Sequence, residues 1–147
     1  MHNIVKKDGY LFAWIYGKEN NHFITFMVNP LRKYVTSRLP DKILVLFSLG
    51  LSAALHGLLL CLYRPVKKHK RLRHLRKRLF YYSYLSWLSG FDFRHTHAVV
   101  YDHLTAPIAH YISKEDFLSW FERMGCKDVI ITHRHGNSWR GYGRVTR

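Results

Sequence analysis

Acidic side chains are scarce in this chain of 147 residues: nine Asp and Glu stand against 24 Lys and Arg, for a formal net charge of +15. An excess of that size points to an anionic partner, whether a phosphate-rich substrate, an anionic membrane surface or nucleic acid. Cysteine is nearly absent as well. Cys61 lies in an apolar run and Cys126 at a helix end, with no metal-ligand spacing and no partner pattern. That excludes a disulfide framework, and both read as reduced thiols in a cytosolic setting. Met1 to Lys7 carries no apolar stretch, so no cleavable signal is expected ahead of the first strand-like segment. No Ser-His-Asp or Cys-His set with a nucleophile elbow appears, which removes support for hydrolase chemistry. What is plentiful is apolar and aromatic surface, at 48% and 16%. Together with a length of one domain, this favours a packed core over disorder.

The eleven histidines include two alternating pairs, His95-Thr96-His97 and His133-Arg134-His135. On a strand, each pair would point to one face. Zinc would want a third ligand and a supporting shell. No acid or cysteine stands at suitable spacing and Arg134 repels a cation, so no metal site is expected. His133 and His135 instead read as lining one face of a final hairpin that turns at Gly136-Asn137-Ser138.

The middle of the chain is apolar and then basic. Leu39-Pro40-Asp41 suits a helix start, with proline in the first turn and an acid favoured by the dipole. From Ile43 to Tyr63, 21 residues pass without Lys, Arg, Asp or Glu, close to the roughly 20 apolar residues that cross a bilayer. Pro65 is expected to end the run, which Ser48, Gly50, Ser52, His56 and Gly57 interrupt. It reads as a spanning helix, an interfacial helix held by neighbouring Lys and Arg, or a lid helix buried against a sheet. Between Arg64 and Arg78 there are nine Lys or Arg and no acid. Leu72, Leu75 and Leu79 fall there at helical spacing, so the tract reads as an amphipathic basic helix, followed by an aromatic helix from Phe80 to Trp87. Basic residues beside aromatics suit nucleic acid or a membrane interface. No helix-turn-helix, zinc finger or RNA-recognition signature accompanies them, so nucleic acid is the weaker partner.

The last third carries the sharpest local pattern. Tyr101 to Pro107 reads as a loop, after which Ser113 and Asp116 form a capping box. Phe117, Trp120, Phe121 and Met124 then give one apolar helix face, and Gly125 stands where a left-handed cap is wanted. Asp128-Val129-Ile130-Ile131-Thr132 supplies a β-branched strand. Gly141-Tyr142-Gly143 has no helix after it, so it cannot set a helix N-terminus against a ligand. Gly141 and Gly143 read as turn or strand-edge residues.

Two stretches also carry a resemblance. Asp102-x-Leu104-x-x-Pro107, then His110-Tyr111, then a capped helix ending Trp120-Phe121-x-x-x-Gly125 and the Asp128-Val129 strand look like the C-terminal part of class I S-adenosylmethionine-dependent methyltransferases. Val5-Lys6-Lys7-Asp8-Gly9 with Tyr10 to Gly17 is similar to that family's leucine-lysine-proline-glycine-glycine turn and its following strand. The resemblance covers roughly residues 4–20 and 99–145. It implies a three-layer, Rossmann-like α/β fold, here its C-terminal part with a long helical insert. Residues 1–20 would be the fifth-strand region, 21–98 a helical, basic and apolar insert, and 99–147 the closing helix and hairpin, with strands near 128–133 and 138–145. The family's cofactor loop is glycine-rich and lies before its fifth strand. The chain therefore reads as a partial methyltransferase, inactive alone and holding no S-adenosylmethionine by itself, although its full-length parent would.

Methyl transfer asks the protein mainly to hold donor and acceptor in line, sometimes with a base. By the resemblance, Tyr16, Tyr101, Asp102 and Tyr111 would border the acceptor. His103 or His110 would be the base, since imidazole titrates near working pH. Asp102 reads equally as fixing its loop through backbone amides, and His110 and Tyr111 as packing beneath the capped helix. The expected acceptor is a small molecule or a lipid- or glycan-linked one, with an anionic membrane surface met through Arg64 to Arg78. The expected location is cytoplasmic, with membrane association. The competing class is a small basic, non-enzymatic protein on or across a membrane.

Overall fold

Residues 10–17 alternate as Tyr-Leu-Phe-Ala-Trp-Ile-Tyr-Gly, a period of two that gives a pleated strand two different faces. A computed structural model describes residues 5–6, 8–106 and 109–146. The chain is mixed α/β, with a four-stranded mixed sheet and six α-helices among the described residues. In order these are β1 (Tyr10–Gly17), α1 (Asn29–Tyr34), α2 (Asp41–Leu58), α3 (Arg64–Lys68), α4 (Tyr82–Leu88), α5 (Phe93–Thr105), β2 (Tyr111–Ile112), α6 (Lys114–Arg123), β3 (Cys126–Arg134) and β4 (Ser138–Val145). They fall into two units, a sheet unit of Met1–His22 with Ala109–Arg147 and a helical unit of Phe23–Ile108. Residues 99–106 lie in the helical unit. Pro107, the last residue of the Asp102 pattern, lies outside the described residues, as does Lys7.

In the sheet unit the strand order is β2-β1-β4-β3, with β1 parallel to β2 and β4 antiparallel to both β1 and β3. The capping box forms. Ser113 Oγ accepts from the Asp116 amide at 3.1 Å and donates to Asp116 Oδ2 at 2.7 Å. Gly125 follows the last turn with φ 67°, the left-handed conformation that glycine adopts without a Cβ penalty. Between them, α6 buries Phe117 and Phe121 completely against Leu11, Ala13, Ile15, Val129, Ile131 and Trp139. Each buried phenylalanine contributes about 1.5–3 kcal/mol.

Gly141 and Gly143 are not edge or turn residues. They stand inside β4, between β1 and β3. A Cβ on Gly141 would collide with the Phe121 ring and reach 2.9 Å from Phe117 Cε1. Gly143 would meet Cys126 Cβ at 3.1 Å and Phe121 at 3.2 Å. Their missing side chains let two helix aromatics lie directly on the strand backbone. The register of β3 shifts between Lys127 and Ile130, and Asp128 sits at φ 53°. This is a bulge that an aspartate tolerates better than a β-branched residue.

The other sheet face is uncovered. Tyr10, Phe12, Trp14, Ile130 and Tyr142 are 60, 64, 45, 60 and 40% exposed, with Tyr10 stacked on Tyr142 at 5.1 Å. On the same face the Arg140 Nε is buried without a hydrogen-bond partner.

The helical unit departs further from expectation. Pro65 does not end the helix, since helical backbone continues past the apolar run, from Asp41 to Lys68. A π turn over Leu59–Tyr63 precedes the proline. A widened turn fits a residue that lacks an N–H and whose ring crowds the preceding carbonyls. The basic tract is a 3-10 segment, Lys70–Lys77, with Leu72 and Leu75 half-buried, rather than an amphipathic α-helix. Arg76 ties it down by donating to Val66 and Lys67 carbonyls at 3.3 and 3.0 Å.

Tyr101 to Thr105 is not a loop but the last turn of α5. That helix is opened by Asp92, whose carboxylate accepts from the His95 amide at 2.8 Å. His95 and His97 therefore lie on a helix, where residues two apart diverge instead of sharing a face. His95 stacks on Phe91 at 4.2 Å, whereas His97 Nε2 pairs with Ser48 Oγ at 3.0 Å. Helices α2 and α5 run antiparallel with a polar seam between them. His56 Nδ1 pairs with Thr96 Oγ1 at 3.0 Å, and Ser52 Oγ donates to the Ser48 carbonyl. Leu44, Val100 and Leu104 close one end of this packing. Of the residues that interrupt the apolar run, Ser48, Ser52 and His56 thus face α5, whereas Gly50 and Gly57 lie on the open sides of α2. It is not a helix buried all round.

Candidate functional site

Parallel strands β1 and β2 end at the same edge of the sheet. In open α/β sheets, the crevice beyond strand carboxyl ends is where ligands bind. Tyr16 pairs in register with Tyr111 there, their rings 5.8 Å apart and both half-buried. Trp14 meets Tyr16 edge-on at 4.8 Å. Past Gly17 the chain turns through Lys18-Glu19-Asn20-Asn21, with Asn20 at φ 61°. Asn21, 2% exposed, donates its amide to the Gly17 carbonyl and, at 2.7 Å, to the Asn137 carbonyl of the β3–β4 turn. Glu19 accepts from Trp139 Nε1 at 2.7 Å and from the Lys114 amide at 3.0 Å. One carboxylate thereby joins the loop after β1, the start of β4 and the first residue of α6. Gly17 makes room for this pair, since a Cβ there would lie 3.0 Å from the indole nitrogen.

Electrostatics favour an ionised Glu19. Partial burial works to raise its pKa. The hydrogen bonds from Trp139, its own backbone amide and the Lys114 amide, with the charge of His133, outweigh burial and hold it below the ordinary value. His133 stacks on the Trp139 ring at 4.2 Å, and Lys114 Nζ lies over that ring at 5.8 Å. An acid held this way accepts hydrogen bonds or anchors a cation; it is not a proton donor at neutral pH. The strand ends therefore carry an aromatic pair, Tyr16 and Tyr111, on the open face, while the Glu19 carboxylate lies with Trp139 on the face that α6 covers. The exposed His110 immediately precedes Tyr111.

No family model, curated protein or solved structure matches this chain.

Of the residues singled out from sequence, Tyr16 and Tyr111 come together, with His110 next in the chain. Tyr101, Asp102 and His103 belong to the helical unit, in the last turn of α5. Successive helical residues point about 100° apart, and these three accordingly differ. Tyr101 is half-buried with its ring 6.0 Å from His97, Asp102 is exposed, and His103 is partly buried. Burial pushes the His103 pKa down, with Arg32 acting in the same direction and Asp102 opposing. Among the described residues, no group of three or more His, Cys, Asp or Glu is placed to hold a metal ion.

Glu19, Asn21 and Trp139 were not evident as site residues. Their signal was weak but present: one of the chain's nine acids, followed by two asparagines, directly after a strand. Gly17-Lys18-Glu19-Asn20-Asn21 reads as turn chemistry, and only the fold reveals what the turn carries.

Gly17, Gly141 and Gly143 are closed by Trp139, Phe121 and Cys126. At the start of α6 the Lys114 and Asp116 amides are taken by Glu19 and Ser113.

Proposed function

We propose that this chain is the acceptor-side part of an S-adenosylmethionine-dependent methyltransferase, inactive alone. The observation that carries the reading is the sheet edge, where Tyr16 and Tyr111 pair at the ends of two parallel strands. An acceptor held against the two rings would be oriented by them, with Glu19 fixing the loop after β1 through Trp139 and the Lys114 amide. His110, exposed at this edge, is the nearer candidate base; His103 belongs to the other unit. The element order supports the same reading, with β1 followed by a capped helix and the β3–β4 hairpin. So does the open aromatic face of the sheet, the side on which a three-layer fold carries its second helical layer. An amphipathic acceptor, lipid- or glycan-linked, suits an aromatic wall beside a basic chain.

Calorimetry of the purified chain with S-adenosylmethionine tests half of the proposal. No heat of binding is expected, and micromolar binding would overturn the view that the cofactor site lies elsewhere. The other half is tested by joining the chain to whatever is encoded in frame upstream. The longer product is expected to contain a glycine-rich strand-turn-helix, to bind the cofactor and to lose methyl transfer on Tyr16→Ala or Tyr111→Ala. A longer product without cofactor binding, or one indifferent to both substitutions, would sink the reading.

A further inference from the structure

Helix α2 has two dissimilar sides. Its inner side, Leu44, Ser48, Ser52 and His56, packs on α5. Its outer sides hold Ile43, Leu46, Phe47, Leu49, Leu51 and Leu58, each 37% exposed or more and Leu46 72%. A Cβ added at Gly50 or Gly57 would meet nothing within 4 Å. The helix is long and apolar enough to cross a membrane, with mean hydropathy 2.2, yet only 22% of its apolar window is buried. An exposed apolar stretch of this extent marks an interaction site.

Charge selects the partner. No acidic residue stands between Asp41 and Asp92. Lys42 precedes the apolar stretch, and the same continuous helix runs on into Arg64, Lys67 and Lys68. Beyond it, Lys70, Arg71, Arg73, Lys77 and Arg78 are all exposed. The far side of α5 selects the geometry. Thr96, Val100 and Leu104 face inward and are buried, while Arg94 and Asp102, two turns apart on the outward side, are exposed. Spanning would carry these charges into hydrocarbon, which is costly. Lying flat leaves them in water with the apolar sides of α2 in the headgroup and acyl boundary.

We infer that the helical unit docks on an anionic lipid bilayer, with α2 lying in the interface and the Arg64–Arg78 tract held by lipid headgroup charge. This stands independently of the methyltransferase reading. If both hold, the site works at a membrane surface.

The test is flotation of the full chain with vesicles of phosphatidylcholine alone and of phosphatidylcholine with phosphatidylglycerol. The chain should float with the anionic vesicles, and added salt should release it. Lys70→Glu with Arg71→Glu should weaken binding by at least about fivefold per charge, the equivalent of the usual attraction of one basic residue to an anionic leaflet. Leu46→Glu with Phe47→Glu, both at exposed positions, should abolish flotation while leaving the circular-dichroism melt unchanged. Failure of the native chain to float, or flotation of the Leu46/Phe47 variant as well as the native chain, would overturn the inference. So would retention through an alkaline carbonate wash, which marks a spanning segment.

Discussion

Trp139 gives its indole N–H to Glu19 across 2.7 Å, and that one bond fastens the loop after β1 to the first residues of β4. The tryptophan is 8% exposed, so losing its acceptor leaves a donor stranded. Glu19→Ala should destabilise the sheet unit by about 1–3 kcal/mol, towards the lower end because water reaches part of the site. Denaturant unfolding followed by tryptophan fluorescence would measure it. Equal stability of the variant would mean that the bond adds nothing net.

The same carboxylate makes stability depend on acid. Its folded pKa lies below the ordinary 4.5. Its contribution is therefore fully present above that value and is lost as pH falls through the folded one. Unfolding midpoints of native chain and Glu19→Gln should differ most above 4.5 and converge in stronger acid. Parallel curves at every pH would exclude this role.

His103 has the same sign for a different reason. Burial lowers its folded pKa beneath 6.5, so the unfolded chain takes up the proton first. Stability should be full above 6.5 and decline as pH falls towards the folded value. A titration of imidazole resonances should find a histidine that protonates below 6.5 and is absent in His103→Gln.

At Gly141 the chain has no room to spare. Gly141→Ala should lower stability by roughly 1–3 kcal/mol or more through overpacking against Phe121 and Phe117, and Gly143→Ala by less. Gly143's nearest neighbours lie 3.1–3.3 Å away and must yield only slightly. Thermal melts of the two variants should rank them in that order. A reversed order would contradict the packing of α6.

Between α2 and α5, Thr96→Val would strip His56 of its partner and cost about 1–3 kcal/mol, whereas Thr96→Val with His56→Phe should recover much of that loss. The double-mutant cycle gives the coupling directly; a coupling of zero would mean the 3.0 Å pair contributes nothing.

The capped helix was legible because its signals are local: Ser113, Asp116 and Gly125 act within a few residues of themselves. The hairpin was legible too, through the β-branched run Val129 to Thr132 and the glycine-containing turn after it. The role of Gly141 was not, since a glycine inside a strand gives no hint of which aromatic will cross it. His95-Thr96-His97 would share a face only on a strand, and alternation over three residues is too short to decide; the Asp92 cap that makes it a helix lies upstream. The apolar run suggested three environments at once; which residues face α5 depends on a partner fifty positions away in the chain. The sheet edge was half visible, Tyr16 and Tyr111 through resemblance but Glu19 and Asn21 only through contacts with residues near the other end of the chain.

The sheet unit is assembled from two separated stretches, Met1–His22 and Ala109–Arg147, with the helical unit between them. During synthesis β1 emerges first, yet its neighbours β2 and β4 arrive only after the whole of Phe23–Ile108 has been made. Until then its Tyr10, Phe12 and Trp14 row and its backbone amides have no native strand to pair with. Such a segment is open to pairing with other chains. Folding of the sheet thus waits on the ribosome, and a nascent chain stalled before Ser138 holds β1 without its antiparallel partner.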